Sequence, residues 1–493
     1  MNNNKKIGIY FIKITAFILL LSFLFKGIFS VFIYKDMGGG GGWQRFYQAK
    51  DNSIDVLFFG SSHAHCTVDH RILWEDYGIA GYTLSAGSQN IDSTYYFVKE
   101  TLRSQKPKVI AVEILGTSGG EINNNLSDVY RNSLGMKWSG NFWEYINYFA
   151  QEMEKADSWK QEIIAKLPII HSRYKEVVPV DYDDNIPFMR GYRGSNEVVA
   201  FERPVETFEE MDLCEERLQW LLKIIALAEE NDIPLLLFAS PFVASEEVQM
   251  QYNKVASIAK GYGVECIDFN HIYDELGIDF QRHFRDGSHL NDEGAAIVTQ
   301  YLGEFLKNHY AIPDRRGEKG YEPWDQNALY LNNKVLGYQL ADATDINEYL
   351  QCLSDNREKQ TIVIALTGNY GAQGEVYLEK LKLFGITDEE YVTGGVWVFR
   401  DNERLLYLPG KEYSTCLSTE HGEIHLESAL YQDDESGEEV EKVKMILNSR
   451  DYRMIDNGVN VIVYNEELNQ LIDAAGVDIY LGLAMTHYEK EFE

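Results

Sequence analysis

Apolar residues alternate between two patterns from residue 54 to residue 305. Short unbroken apolar runs, such as Ile54 to Phe59, are typical of strands buried on both faces of a parallel sheet. Between these runs, apolar residues recur every three or four positions, as on one face of a helix. The predicted strands are 54–59, 108–115, 234–239 and 264–269, and the predicted helices are 92–105, 218–225, 248–258 and 291–305. This alternation predicts βαβ units in a five-stranded, mostly parallel sheet with helices on both faces.

The stretch from 116 to 210 interrupts this rhythm and is rich in aromatic residues. They are Trp138, Phe142, Trp143, Tyr145, Tyr148, Phe149 and Trp159. We predict a helical insertion with its own small core. A lid over a substrate is the alternative, because long excursions above a sheet often carry function.

A segment rich in proline, glycine and charge, residues 311–325, is a predicted linker. Beyond it the pattern becomes β-rich, with short apolar runs at 361–366, 396–400, 404–408 and 459–465, a helix at 374–384 and an acidic loop at 433–441. The predicted organisation is an α/β domain over 51–310, containing the 116–210 insertion, and a mixed α/β accessory domain over 326–493.

Residues 1–35 are dominated by an apolar run that only Lys13 and Lys26 interrupt. About 20 apolar residues cross a bilayer, and no A-x-A-like cleavage site follows the run. We therefore expect one uncleaved membrane span within residues 8–34. A cleaved signal peptide is the alternative.

The flanks of this span predict its orientation. Lys5 and Lys6 precede it, which favours a cytoplasmic N-terminus and an extracytoplasmic remainder at the plasma membrane. Five consecutive glycines, Gly38 to Gly42, predict a flexible tether over residues 36–50.

The net charge of the chain indicates which kinds of macromolecule it can bind. The 493 residues include 77 acidic and 45 basic side chains, for a formal net charge of −32. Non-specific nucleic-acid binding depends on lysine and arginine, so we expect no nucleic-acid partner. The five cysteines are scattered and form no C-x-x-C pair, which indicates neither a zinc knuckle nor a disulfide framework.

The first candidate for chemistry is Ser62, which follows the strand 54–59 in the sequence Gly60-Ser61-Ser62-His63. Open α/β sheets place their ligands at the carboxyl ends of their strands. Glycine and serine are also common turn residues, so this motif alone favours a simple turn.

Asp286 and His289 lie between the last strand of the first domain and a helix that Asn291 is predicted to cap. An aspartate three residues before a histidine can hold one ring nitrogen and stabilise the imidazolium. The other nitrogen can then take a proton from a serine hydroxyl. A turn aspartate and a surface histidine are the alternative, but the pairing with Ser62 favours a catalytic triad.

These two motifs resemble the first and last blocks of the SGNH/GDSL hydrolase superfamily, a strand followed by G-D-S and a closing D-x-x-H. The resemblance covers roughly residues 50–310. It implies a flavodoxin-like three-layer α/β fold with Ser62 as the nucleophile and Asp286 and His289 as its partners. Ser61 stands at the family's aspartate position.

The middle blocks of the family match less closely. The resemblance implies an oxyanion amide near residues 83–90, where Gly87 or Ser88 stands. The family's G-x-N-D block has no match after the strand that ends near Leu115. Glu113 and the run Asn123 to Asn125 lie nearby without an assigned role.

A membrane anchor followed by G-S-S is similar to one branch of the superfamily, which includes the D-alanyl transfer protein of lipoteichoic acid synthesis and polysaccharide O-acetylation proteins. This resemblance implies an extracytoplasmic acyltransferase or esterase that acts on O-acyl groups of a cell-envelope polysaccharide or teichoic acid-like polymer. It implies a membrane-bound O-acyltransferase as a partner, and we expect no cofactor and no metal. The alternative is a catalytically silent scaffold that binds glycan or a partner membrane-bound O-acyltransferase.

Other residues near the first motif have weaker interpretations. His63 and His65 could bind zinc if they alternated on an extended segment. Since no third ligand is evident, we expect them to shape the pocket. Cys66 is predicted to be a small apolar residue rather than a nucleophile.

The C-terminal region offers no catalytic constellation, so binding or assembly is expected there. Asn457 to Asn465 and the following Leu471-Ile-Asp-Ala-Ala resemble the interleukin-like EMT-inducer domain over roughly residues 340–490. An unrelated α/β accessory domain is the alternative.

Overall fold

The structure, a computed structural model, describes residues 3–32, 40–122, 126–152, 190–368, 379–432, 439–478 and 485–488. The contacts within the chain form two compact units, Met1–Ala328 and Leu329–Glu493.

An apolar helix, α1 (Asn3–Phe32), opens the chain. Its segment Gly8–Phe25 is long and apolar enough to cross a membrane, judged by length and composition alone. The side chains of this segment, including Phe11 and Phe23, are exposed. The helix fits the predicted span, whereas its orientation stays a prediction.

The glycine run does not leave residues 40–46 as a free tether. Gly40–Phe46 forms helix α2, and Trp43 and Phe46 are both buried. The Trp43 ring packs on Phe97 at a centroid distance of 4.9 Å, and the Phe46 ring packs on Tyr82 at 5.8 Å. Each helical glycine costs roughly 0.5–1 kcal/mol relative to alanine, but burial of two aromatic side chains outweighs that cost. The predicted tether is therefore corrected over 40–46, while residues 33–39 lie outside the described ranges.

The first unit is built on a five-stranded sheet whose neighbouring strands are all parallel, in the order β2-β1-β3-β4-β5. The strands are β1 (Val56–Gly60), β2 (Gly81–Ser85), β3 (Val109–Glu113), β4 (Leu235–Ala239) and β5 (Glu265–Asp268). The helices that follow α2 are α3 (Ser62–Thr67), α4 (His70–Glu75), α5 (Ile91–Thr101), α6 (Leu126–Ser133), α7 (Gly140–Glu152), α8 (Glu215–Glu230), α9 (Glu246–Gly261), α10 (Tyr273–Leu276) and α11 (Asp292–His309).

Both faces of this sheet are covered by helices. Successive side chains of a strand point to opposite faces, so Leu57 and Phe59 join one core and Val56 and Phe58 join another. Helices α5, α7, α8 and α9 pack on the first face, and α4, α10 and α11 pack on the second. The predicted α/β class with a parallel sheet is confirmed.

The described helix α7 of the 116–210 insertion packs into the core of the main sheet rather than into a separate core. Phe142, Tyr145 and Phe149 of α7 belong to the core on the first face of the sheet, and the Tyr145 ring packs on Tyr96 at 5.2 Å. The aromatic spacing predicts which face of α7 is buried, but it does not identify the surface that buries it. Trp159 lies outside the described residues.

The second unit contains two antiparallel sheets. A six-stranded sheet has the order β15-β14-β13-β6-β7-β8, and a four-stranded sheet has the order β12-β11-β10-β9. The strands are β6 (Thr361–Thr367), β7 (Gly395–Arg400), β8 (Glu403–Pro409), β9 (Tyr413–Ser418), β10 (Glu423–Gln432), β11 (Glu439–Leu447), β12 (Arg450–Asp451), β13 (Gly458–Asn465), β14 (Gln470–Asp478) and β15 (Met485–His487). The helices are α12 (Glu322–Ala341), which begins in the first unit, α13 (Ile346–Asp355) and α14 (Asp388–Thr393).

The six-stranded sheet is buried on both faces. Ile362 and Ile364 of β6 pack with residues of α12 and α13, whereas Val363 and Ala365 pack with residues of the four-stranded sheet. The second domain is thus a helix layer on two antiparallel sheets, which fits the β-rich pattern of the sequence.

The structure bears on three local features of the second unit. The acidic stretch 433–441 is not wholly a loop, because β11 begins at Glu439 and the buried Glu441 accepts hydrogen bonds from the Ser428 hydroxyl and the Gly368 amide. Residues 471–475 lie within β14. Of the predicted helix 374–384, residues 374–378 lie outside the described part of the chain, residues 379–381 are helical, and Lys382–Phe384 is a 3-10 turn.

Candidate active site

Ser62 occupies the sharp connection between β1 and α3. The apolar strand ends at Gly60, Ser61 caps α3 by accepting a hydrogen bond from the His63 amide, and Ser62 is the first helical residue. Gly60 has φ +144°, and a Cβ at this position would lie 2.7 Å from the Glu113 Cβ. Only glycine allows this conformation and this close approach. The strand therefore delivers Ser62, which is partly exposed, to the carboxyl edge of the sheet.

Asp286 and His289 lie in a tight turn just before α11. A β-bridge between Phe284 and Leu290 closes the turn. One Asp286 oxygen, Oδ1, accepts hydrogen bonds from the backbone amides of Ser288 at 2.8 Å and His289 at 2.9 Å. Asn291 then caps α11 through the Gly294 amide, as its position in the sequence predicts. These bonds fix the Asp286 carboxylate next to the His289 ring.

The structure brings Ser62, His289 and Asp286 into one chain of hydrogen bonds. His289 Nε2 lies 2.7 Å from Ser62 Oγ, and His289 Nδ1 lies 2.9 Å from both Asp286 oxygens. These distances are in the range expected for a nucleophile, its base and the group that orients the base. The arrangement can transfer the Ser62 proton to His289.

The electrostatics of the turn favour an ionised Asp286. Its side chain is half exposed and that of His289 is 18% exposed. Partial burial tends to raise the pKa of Asp286, but hydrogen bonds from His289 and the Ser288 amide outweigh it and lower the pKa below its ordinary value. A carboxylate at this position would stabilise the imidazolium that forms when Ser62 loses its proton.

Gly87 and Ser88, the predicted oxyanion residues, lie at the same edge of the sheet. In the parallel register Gly60 pairs with Ser85, so the residues after each strand emerge side by side. Ala86 to Gln89 form a turn in which Ser88 has φ +54°. Their role as amide donors stays a prediction.

The strand β3 ends in Glu113, where the resemblance had left a role unassigned. Its carboxyl group is fully buried and accepts a hydrogen bond from the Ser61 hydroxyl at 2.9 Å. The sequence pattern alone assigns no function to Glu113. The sequence feature that could have identified Glu113 is a single carboxylate directly after the apolar run Val109 to Val112. The alternative, Asn123 to Asn125, lies outside the described residues.

His63 and His65 lie on α3, so they do not alternate along an extended segment. The His65 Nδ1 atom lies 2.9 Å from Ser85 Oγ, and the His63 ring packs on Phe242 at 4.8 Å and on His289 at 5.4 Å. Burial and the nearby His289 lower the pKa of His63 to about 3. His63 is therefore a neutral ring that packs against the base.

Cys66, the next candidate along α3, is buried. Burial raises the pKa of its thiol to about 12, and a thiol that stays protonated is a poor nucleophile. Within the described ranges, no group of three or more histidine, cysteine, aspartate and glutamate side chains is arranged to hold a metal ion.

Part of the 116–210 insertion borders the site. The amide of Val199 donates to the Phe284 carbonyl at 2.8 Å, and the Asp292 amide donates to the Ser195 carbonyl at 2.8 Å. The Arg193 amide donates to the carbonyl of His65 at 2.7 Å. Residues 193–199 thus run between the Asp286 turn and α3. The predicted lid over the substrate stays a prediction, since residues 153–189 lie outside the described part.

Comparisons with known proteins add little to this geometry. No protein-family model matches the chain, and no curated protein matches its sequence. Among solved structures, a protein of Bacteroides fragilis NCTC 9343, provisionally named an acylhydrolase, aligns with 54% of this chain and 93% of its own at 12% sequence identity and a TM-score of 0.28. A similarity this weak establishes neither fold nor chemistry.

Proposed function

We propose that this protein is a membrane-anchored, extracytoplasmic SGNH-type acyltransferase or esterase that acts on O-acyl groups of a cell-envelope polysaccharide or teichoic acid-like polymer. The observation that carries the proposal is the hydrogen-bonded chain Ser62–His289–Asp286, with 2.7 Å between Ser62 Oγ and His289 Nε2. The parallel strand order 2-1-3-4-5 supports it, because doubly wound sheets of this order bind ligands at the carboxyl ends of their strands.

In the first half-reaction, Ser62 Oγ attacks the carbonyl carbon of the acyl donor while His289 Nε2 takes the hydroxyl proton. The ester bond of the donor then breaks, and His289 returns the proton to the departing alcohol oxygen. Asp286 holds the imidazolium in orientation throughout. Backbone amides near Ser62 and Gly87 would stabilise the negative charge on the carbonyl oxygen.

The second half-reaction separates the two activities. His289 takes a proton from water in an esterase, or from a sugar hydroxyl in a transferase, and that oxygen attacks the acyl-Ser62 ester. The Ser62–acyl bond breaks and Ser62 Oγ regains its proton from His289. The acceptor that reaches Ser62 therefore decides between hydrolysis and transfer.

An alkyl fluorophosphonate probe tests the nucleophile directly. We expect the full-length chain in detergent to be labelled on the peptide that contains Ser62, and Ser62→Ala to abolish labelling. Ser61→Ala is the matched control for the site of labelling, because it removes the neighbouring hydroxyl and keeps the hydroxyl of Ser62. Labelled peptides from tryptic digests are identified by mass spectrometry.

Absence of labelling in folded wild-type protein would favour the silent scaffold. Persistent labelling in Ser62→Ala, lost in Ser61→Ala, would move the nucleophile to Ser61. Incubation of the labelling-competent enzyme with an aryl acetate and a sugar oligomer then distinguishes free acetate from an acetylated sugar.

A further inference from the structure

A buried carboxyl group, that of Glu113, lies against the turn that carries Ser62, and the triad makes no use of it. Its Oε2 accepts hydrogen bonds from the Ser61 hydroxyl at 2.9 Å and the Ser61 amide at 3.4 Å. Its Oε1 accepts a hydrogen bond from the Leu115 amide at 2.7 Å. Glu113 therefore joins the end of β3 to the residue that precedes the nucleophile.

Ser61 connects Glu113 to α3 through two hydrogen bonds of its hydroxyl group. The Ser61 hydroxyl donates to Glu113 and accepts a hydrogen bond from the His63 amide at 3.2 Å. Ser61 is the cap of the helix in which Ser62 is the first residue. A shift of Ser61 would therefore move Ser62 Oγ relative to His289.

All three donors that face Glu113 need an acceptor. An ionised carboxylate accepts at both oxygens, whereas a glutamine side chain accepts at one end and donates at the other. Replacement by glutamine keeps the shape of Glu113 but sets an N–H group against either Ser61 or the Leu115 amide. The geometry therefore selects the carboxylate form.

We propose that Glu113 is a positioning residue for the nucleophile: its carboxylate holds Ser61 and, through the first turn of α3, sets Ser62 Oγ opposite His289. This inference rests on the proposed function of the Ser62 site. Glu113 touches no reacting atom and acts through Ser61.

The groups around Glu113 determine the pH range in which its carboxyl group ionises. From α3, His63 Nδ1 lies 3.9 Å from Oε1 and is the only ion-pairing side chain within 4 Å among the described residues. It is neutral, because its pKa lies at about 3. From α9, the Tyr252 hydroxyl is buried, and burial and the charge of Glu113 raise its pKa. His289 and Asp286 lie beyond the His63 ring.

No cation among the described residues therefore neutralises Glu113. Burial raises its pKa to about 7, against hydrogen bonds from Leu115 and Ser61 that lower it. Below this pH a proton on the carboxyl group would compete with the Ser61 and Leu115 donors. The turn that carries Ser62 would then lose its geometry.

The test compares Glu113→Gln with Glu100→Gln in the full-length protein. Glu100 is a matched control, because it is a buried carboxylate of the same unit that accepts hydrogen bonds from Tyr47 and Ser139, away from Ser62. We expect Glu113→Gln to lower kcat on an aryl ester, and the rate of fluorophosphonate labelling, by about 10- to 100-fold with KM nearly unchanged, because small misplacements of a nucleophile carry costs of this size. Glu100→Gln should lower Tm and leave both rates unchanged.

Two further readouts distinguish positioning from a general structural role. In a double-mutant cycle, Ser61→Ala should remove most of the effect of Glu113→Gln, because the two residues act through one contact. The acid limb of log(kcat/KM) against pH should be less steep in Glu113→Gln than in wild type, since a group with a pKa of about 7 no longer titrates.

The outcomes separate this inference from the function on which it rests. If wild-type protein is not labelled at Ser62, both fail. If wild type is labelled and a folded Glu113→Gln variant reacts at the same rate with the same slope, the inference alone fails. Should Glu113→Gln not fold, Ser61→Ala decides: slower labelling with a changed acid limb supports the positioning role, and unchanged labelling overturns it.

Discussion

Each unit of this protein contains an aspartate–histidine pair, and the two pairs differ in what surrounds them. In the first unit Asp286 and His289 lie in a partly exposed turn, and His289 reaches Ser62. In the second unit Asp473 is buried within β14, where it accepts hydrogen bonds from His487 Nδ1 at 3.1 Å and from the Tyr349 hydroxyl at 2.9 Å.

The difference shows that environment, rather than residue type, assigns a role to such a pair. The connections at the carboxyl ends of parallel strands bring side chains from distant parts of the chain to one edge, so Ser62 meets a histidine 227 residues away. A mid-strand aspartate such as Asp473 instead faces the core, where an unpaired polar group would be costly. Tyr349 and His487 donate hydrogen bonds to Asp473, so this second pair has a structural role.

Removal of the histidine from each pair should give the largest difference in activity between the two pairs. We expect His289→Ala to lower kcat on an aryl ester by about 10⁶-fold, as removal of a base from a serine triad does. His487→Ala should leave the rate unchanged. Steady-state kinetics on both variants checks this, and a comparable loss in His487→Ala would erase the distinction between the pairs.

Amide substitution of each aspartate should have a smaller but still unequal effect. Asp286→Asn keeps the size of the side chain but favours the wrong tautomer of His289, and we expect kcat to fall by about 10⁴-fold. Asp473→Asn should leave kcat unchanged and lower the midpoint of thermal unfolding. Equal activities of wild type and Asp286→Asn, measured over a range of pH, would contradict the role given to Asp286.

The smallest effect concerns the structural pair alone. Tyr349→Phe removes the hydrogen bond to the buried Asp473, and we expect the free energy of unfolding of the second unit to fall by about 1.5–3 kcal/mol, the range for bonds to charged groups. Urea denaturation followed by circular dichroism measures it, with Tyr262→Phe as a control at an exposed position. An unchanged stability would show that Asp473 does not depend on Tyr349.

Much of the fold was predictable from the chain, because it depends on local patterns. The apolar run from Ile54 to Phe59 is too short for a typical helix and ends in Gly60, so its strand and the turn after it follow from the residues themselves. The spacing of Asp286 and His289 likewise limits the distance between them, since two residues three positions apart in a turn can bring their side chains within hydrogen-bond distance. The sequence therefore determined which side chains could form a base and its partner.

Contacts between distant segments were decided by the tertiary structure. Nothing local links Ser61 to Glu113, and only the pairing of β1 with β3 sets that carboxyl group against the nucleophile turn. Five glycines indicated a tether, yet the rings of Phe97 and Tyr82 hold Trp43 and Phe46 in the core. The spacing of apolar residues in the sequence determines which face of a helix or strand is apolar. The burial of a side chain, the pKa of its ionisable group and the residues it can contact depend on the surface that covers that face.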